Sequence, residues 1–414
     1  MKSMLPFFSG LVVAGSLLHA QETRLLNADF LTGIRNEAAR THPSAVAAKN
    51  LAAASGHDIR SVRLWEDPMV GLGFTIAEKM MRMEDGDVLI GVEQVLPKPG
   101  MFEARRRKAE AMHRAATENS RTPALAAAAE AARNAIELAL ADESITLQQA
   151  QVTWLTAIVE NARQMAADPM GNSSDALRME TELAKDQQML DAASRSREGL
   201  AQKLNLTLGR PPESPWPMLK LPAIPPPVPL AQTEIARIPH ANPKVRAMIE
   251  MAGAANAETR MANRERLPEV SVGVDTNIYA SGSEVRSTMV GVKVTLPWFN
   301  DSSYQADISA ARSRELSATQ DVETMRREVA AMVLGATTEA ANAAAQARAY
   351  SGEIHDKARQ TTKTIEASWV SFKAPLSDLL DSARMLFSIR LEQRRMIAMQ
   401  LAALEELQTL VPNR

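Results

Sequence analysis

Four short stretches of the chain alternate apolar and polar side chains. At 269–279, Val270, Val272, Val274, Thr276 and Ile278 share one face, with Ser271, Gly273, Asp275 and Asn277 on the other. At 69–78, Val70, Leu72, Phe74 and Ile76 oppose Gly71, Gly73 and Thr75. At 87–96 and 286–296, Ile90 and Val92, and Val290 and Val292, lie opposite Glu93 and Lys293. A period of two with one apolar face is the mark of a β-strand that is wet on one side only. Each stretch has the length that crosses a membrane as a tilted barrel strand. The same alternation also suits an ordinary half-buried antiparallel sheet.

Around these strands the pattern changes to helical spacing. It predicts helices over 27–63 and 231–264, very long helices over 101–167 and 303–371, and shorter ones over 174–207 and 376–410. Breaks fall at 168–172 and at 372–375, where Pro169, Gly171 and Pro375 interrupt the pattern. A helix of such length reaches ~100 Å. A tube or a coiled coil needs that reach, and a compact domain does not. Ala-rich runs such as Ala124 to Ala132 suit helices packed at close spacing. On the helices alone, a soluble coiled coil is the preferred reading.

The elements occur in the same order twice. With the chain laid against itself at an offset of 200 residues, Pro43 falls on Pro243, Pro68 on Pro268, Gly73 on Gly273, Gly91 on Gly291 and Pro97 on Pro297, without a gap. Proline and glycine punctuate structure, so their agreement in one register marks an internal repeat. The first copy is 21–210 and the second 231–414. Between them, 211–230 holds nine prolines, which predicts a semi-rigid extended connector that is neither helix nor inner strand. Four strands cannot close a barrel, and open strand edges are not tolerated in lipid. If these strands span a membrane, several chains share one barrel, and three chains supply twelve strands.

Composition narrows the function classes. The 414 residues carry a formal net charge of −2, which gives no broad footprint for nucleic acid. There is no cysteine, so disulfides, thiolate metal sites and Cys nucleophiles are excluded. The six histidines show no zinc spacing, and no phosphate-binding loop or nucleophile elbow is present. No catalytic constellation and no cofactor or metal site is therefore expected. At the N-terminus, Lys2, the apolar run Leu5 to Leu18 and Leu18-His19-Ala20 read as a signal peptide over 1–20. An uncleaved anchor is the alternative. Met80, Met81 and Met83 cluster between the first two strands; thioethers suit soft metals, but adaptable apolar side chains in a loop explain them as well.

Three local motifs accompany the repeat. The first is Gln94-Val95-Leu96-Pro97-Lys98-Pro99-Gly100 leading into Arg105-Arg106-Arg107. The others are Leu296-Pro297-Trp298-Phe299-Asn300 and Leu376-Ser377-Asp378-Leu379-Leu380-Asp381-Ser382-Ala383. With the duplicated helix–strand–strand–long helix–short helix unit, the chain resembles the TolC-like outer-membrane efflux proteins over nearly its whole mature length. The first motif leans toward the heavy-metal efflux branch. The resemblance implies a mainly helical fold with a β-barrel portion, a homotrimer sharing a twelve-stranded outer-membrane barrel, and a helical periplasmic tunnel. It implies docking to a periplasmic adaptor and to an inner-membrane pump, with the RND type expected. A periplasmic coiled-coil adaptor or scaffold without a barrel is the rival reading, but such an adaptor carries one helical hairpin where this chain has two. The lipidated N-terminal Cys of many relatives is absent.

Asp378 and Asp381 lie three residues apart, stacked on one helix face about a turn apart. Acids near a helix start are also favoured by the helix dipole. The resemblance places them at the narrow end of the tunnel, where three copies form two carboxylate rings that attract cations and gate the pore. The first tip, 171–177, offers Asp175 alone. Gly171, Ser174, Leu177, Ala374 and Leu380 are the expected adaptor contacts at the helix tips.

Overall fold

A computed structural model describes residues 23–75, 87–166, 173–222, 232–279 and 284–410. The signal-peptide reading, the Met80, Met81 and Met83 cluster and Gly171 lie outside these residues. The first repeat runs β1 (Thr23–Leu25), α1 (Ala28–Thr41), α2 (Pro43–Ser61), β2 (Met69–Thr75), β3 (Asp87–Val95), α3 (Met101–Ala166) and α4 (Ser173–Thr207). After β4 (Met218–Lys220), the second runs α5 (Gln232–Ala241), α6 (Pro243–Glu265), β5 (Val270–Tyr279) and β6 (Val285–Val294). A short 3₁₀ turn (Pro297–Asn300) leads into α7 (Asp301–Ser351), α8 (Glu353–Val370) and α9 (Leu376–Leu410).

Two expectations need correction. The helices expected over 27–63 and 231–264 are each two helices, α1 with α2 and α5 with α6. The residue before a proline is pushed out of the helical region, and proline itself is suited to the first helical turn. His42 and Asn242 accordingly adopt extended ψ values of 128° and 132°. Each then caps the next helix, His42 toward Ser44 N and Asn242 toward Lys244 N. The helix expected over 303–371 is interrupted at Gly352, whose φ of −100° and ψ of −121° separate α7 from α8. The described part of the Pro-rich connector holds no helix, and its one short strand lies at the edge of a two-stranded sheet. β4 pairs in parallel with β1, Thr23 opposite Met218 and Leu25 opposite Lys220.

The main sheet is antiparallel with order β2-β3-β5-β6. Val70, Val92, Val274 and Val290 form one cross-strand row, and Leu72, Ile90, Thr276 and Thr288 the next. These apolar residues are bare: Phe74 is 77% exposed and Val290 70%. The opposite face is polar. Lys293 pairs with Glu93 at 2.5 Å, Ser271 donates to Glu93 at 2.5 Å, and Arg286 binds Asp87. A Cβ at Gly91 would sit 2.2 Å from Oδ1 of Asp275, so any larger residue there displaces that carboxylate.

The helices pack in three apolar clusters. A middle cluster joins α1, α3, α4, β4 and α9 through Leu31, Ala135, Leu138, Leu204, Leu219 and Ile397. Alanine on α3 lets the neighbouring backbones approach closely. A second cluster joins α5, α6, α7 and α9 through Ile238, Val245, Val333 and Leu407. The third lies where the helical hairpins end, and it holds Leu155, Ile158, Met179, Trp369 and Leu379. At 66 residues, α3 spans ~100 Å between the sheet and this tip. None of the described helices is long and apolar enough to cross a membrane.

Candidate functional site at the helical tip

The tip is built by the ends of α3, α4, α8 and α9. Trp369, in the last turn of α8, is 3% exposed and packs with Leu155, Ile158, Met179, Leu376 and Leu379. The chain then reverses. Phe372 takes a φ of 58°, the left-handed region where a residue with a Cβ is strained. The turn is closed by Phe372 N donating to Trp369 O and Lys373 N donating to Ser368 O. Helix α9 follows at Leu376. Pro375 just before it cannot continue the previous helix, which keeps this break sharp.

Asp378 and Asp381 both point away from the tip core and are exposed. Ser377 Oγ donates to Asp378 Oδ1 at 3.3 Å. Asp381 pairs with Arg384 at 3.4 Å, and Arg384 reaches across to Glu182 of α4 at 2.8 Å. Arg384 therefore ties the second acidic position of α9 to the hairpin of the first repeat. Its guanidinium is held further toward the charged form, mainly by the hydrogen bond to Glu182. Beside it, burial and the Glu182 charge push the Asp186 carboxyl upward against the opposing charges of Lys185 and Arg384. These groups line a cavity of about 240 Å³ with Gln148, Gln151 and Phe387.

The other expected tip residues are placed differently from one another. Asp175 is half-buried in the first turn of α4. Ser174 is exposed, and Leu177 is 66% exposed. Ala374 is half-buried against the tip core. Leu380 is a correction: it is 3% exposed and belongs to that core, so the single chain does not offer it as a contact surface. Spacing explains why. Leu376, Leu379, Leu380 and Ala383 share the inward face of α9, as residues at i, i+3, i+4 and i+7 do. That pattern was readable in the sequence. Two features carried no such signal: the exposed, strained Phe372, and the Glu182–Arg384 bridge between residues 202 positions apart. Among the described residues, no cluster of three or more His, Asp or Glu side chains could hold a metal ion.

Comparison with known proteins agrees with this architecture. Residues 237–412 match the family model described as outer membrane efflux protein. No curated protein matches the sequence. Among solved structures, the chain is similar to CusC, with 14% identity, a TM-score of 0.80 and coverage of 92% of this chain and 91% of that one. It is similar to the outer membrane protein VceC of Vibrio cholerae, with 14% identity, a TM-score of 0.75 and coverage of 92% and 95%. It is similar to the open-state MtrE outer membrane channel of Neisseria gonorrhoeae, with 16% identity, a TM-score of 0.73 and coverage of 92% and 88%.

Proposed function

We infer that this chain, whose residues 237–412 match the outer membrane efflux protein family model, is one subunit of an outer-membrane efflux channel in a tripartite system. The sheet is the observation that carries this reading. Its four strands bare an apolar face, and its outer strands β2 and β6 end the ladder within the chain. Lipid accepts such a face only when every backbone group is paired, so the strands belong to a closed ring of several copies. Three copies give twelve antiparallel strands, an even number, so the alternation of direction is kept on closure.

The long helices then extend from the barrel into the periplasm as a tunnel, and the export signal at 1–20 brings the chain there. The channel is a passive conduit with no bond chemistry. Energy comes from an inner-membrane pump of RND type, coupled through a periplasmic adaptor that docks on the tip. Gly171, Ser174, Leu177 and Ala374 are the docking residues, and exposed Phe372 joins them.

Asp378 and Asp381 gate the tunnel. Three copies place six carboxylates around the axis, and Arg384 holds the second ring closed by tying it to α4. Such rings favour cations over anions. In a planar bilayer, the double variant Asp378→Asn, Asp381→Asn releases the Arg384 tie, raises single-channel conductance and weakens cation preference. Unchanged conductance together with unchanged selectivity would remove both residues from the gate.

A further inference from the structure

The cavity of about 240 Å³ at the tip, where α3, α4 and α9 meet, holds polar groups that its own walls leave unpaired. Other cavities of the chain differ in this. Beside Lys98, that residue faces Glu265 and Glu269, while Arg105 faces Glu66 and Arg63 binds Asp67. Beside Glu405, Arg35 donates to the carboxylate at 2.9 Å.

In the tip cavity the two cations are committed. Arg384 is held by Glu182 at 2.8 Å and by Asp381 at 3.4 Å, and Lys185 lies 3.8 Å from Glu182. Asp186, one turn along α4 from Glu182, has neither a hydrogen bond nor an ion pair among the described residues. Burial and the Glu182 charge push its carboxyl upward. On α3, Gln148 buries its Oε1 without a hydrogen-bond partner. Two acceptors without a donor therefore share one cavity, and burying such groups is costly until a donor reaches them. The rest of the wall is apolar. Leu155 and Leu380 are buried, and Phe387 and Met189 continue their surface. The internal repeat shows that packing alone does not require the acids. Helices α4 and α9 each have 35 residues. With Ser173 matched to Leu376, Met385 takes the place of Glu182 and Ile389 that of Asp186.

We propose that this cavity binds a small organic ammonium, whose N–H groups donate to the Asp186 carboxylate and to Gln148 Oε1 while its carbon body lies against Leu155, Leu380 and Phe387. A primary ammonium carries enough N–H donors for both acceptors. An anion finds no free partner, because Glu182 already engages Arg384 and Lys185. A hard metal ion is poorly served, since it takes more oxygen ligands than one carboxylate and one amide provide. The walls come from both repeats, α3 and α4 from the first and α9 from the second. An occupant thus braces one hairpin against the other. The site is separate from the paired acids Asp378 and Asp381, and it stands whether or not the tip gates a pore.

Phenethylammonium is the probe, with hydrocinnamate as an anion of similar shape. Each is titrated calorimetrically into the full chain in detergent, and the heat of detergent alone is subtracted. Phenethylammonium binds saturably in the millimolar range or tighter, and hydrocinnamate does not. Asp186→Asn weakens the binding roughly tenfold, the effect of losing one charge-assisted hydrogen bond. Gln148→Met keeps the length of the side chain and weakens binding roughly threefold. It also serves as the test if the Asp186 variant fails to fold. Bound phenethylammonium slows hydrogen exchange over 182–189 and 376–389, because it touches both helices. Absence of saturable binding, equal affinity in the parent and both variants, or hydrocinnamate binding as tightly as phenethylammonium overturns the site. Saturable binding with unchanged exchange in both helices overturns its placement between the hairpins.

Discussion

Replacing Asp142 with alanine lowers the stability of the helical body by about 3–5 kcal/mol, the loss seen when one partner of a buried ion pair is removed. Asp142 is 1% exposed on α3. It accepts from Arg197 Nε at 2.5 Å and from Leu219 N at 2.7 Å. Arg197 also donates to the carbonyls of Trp216 and Pro217, each at 3.1 Å. The next residue, Glu143, accepts from Leu221 N and faces Arg394 of α9. Two adjacent carboxylates on one helix therefore fasten the Pro-rich connector between Trp216 and Leu221. The connector has few ladder partners of its own, because proline lacks the N–H that a strand needs. Burial pushes the Asp142 carboxyl upward, and Arg197 and the Leu219 amide oppose that.

The alanine variant leaves Arg197 in place with no carboxylate. Most of the loss comes from that orphaned charge, so the double variant Asp142→Ala, Arg197→Leu recovers a large part of it. Urea unfolding in detergent, followed by helical circular dichroism, measures both. A double variant no more stable than the single one would show that the pair is not what holds the connector.

The second large effect is at the tip. Trp369→Ala removes the largest side chain of the tip core and costs about 3–5 kcal/mol, the range for deleting a buried aromatic. The damage is local, because the tip cluster has no members in common with the two clusters nearer the sheet. Hydrogen exchange over 362–383 speeds up while α1 and the first half of α3 keep their protection. Trp369→Phe keeps most of the volume and loses less. Equal protection of the tip in Trp369→Ala and in the parent would mean that the turn at Phe372 is held by its backbone bonds alone.

Much of this architecture was legible in the sequence because its strongest marks are prolines and glycines. They align the two repeats without a gap, and period-two alternation picks out the strands. Pro43 and Pro243 carried a second message that the repeat alignment alone does not convey. Each starts a helix, so the residue before it breaks the preceding one. Gly352 could not be read as a break, since a lone glycine in a helical run is usually tolerated. The β1–β4 pairing joins three-residue strands about two hundred positions apart, too short for any periodicity to register. Asp142 and Arg197 were invisible for a related reason. On an otherwise charged and Ala-rich pair of helices, nothing in their spacing separates a buried acid from a solvated one. At the tip, the acidic positions were legible as a stacked pair. The Glu182 bridge was not, because it joins the two repeats across a fold that sequence order does not reveal.

Several copies share one membrane barrel in the proposed channel. Its most direct test is the mass of the protein extracted from membranes. The expected result is a detergent-dependent particle of three chains that forms ion-conducting channels when reconstituted. A monomer that stays soluble without detergent and conducts nothing would contradict it.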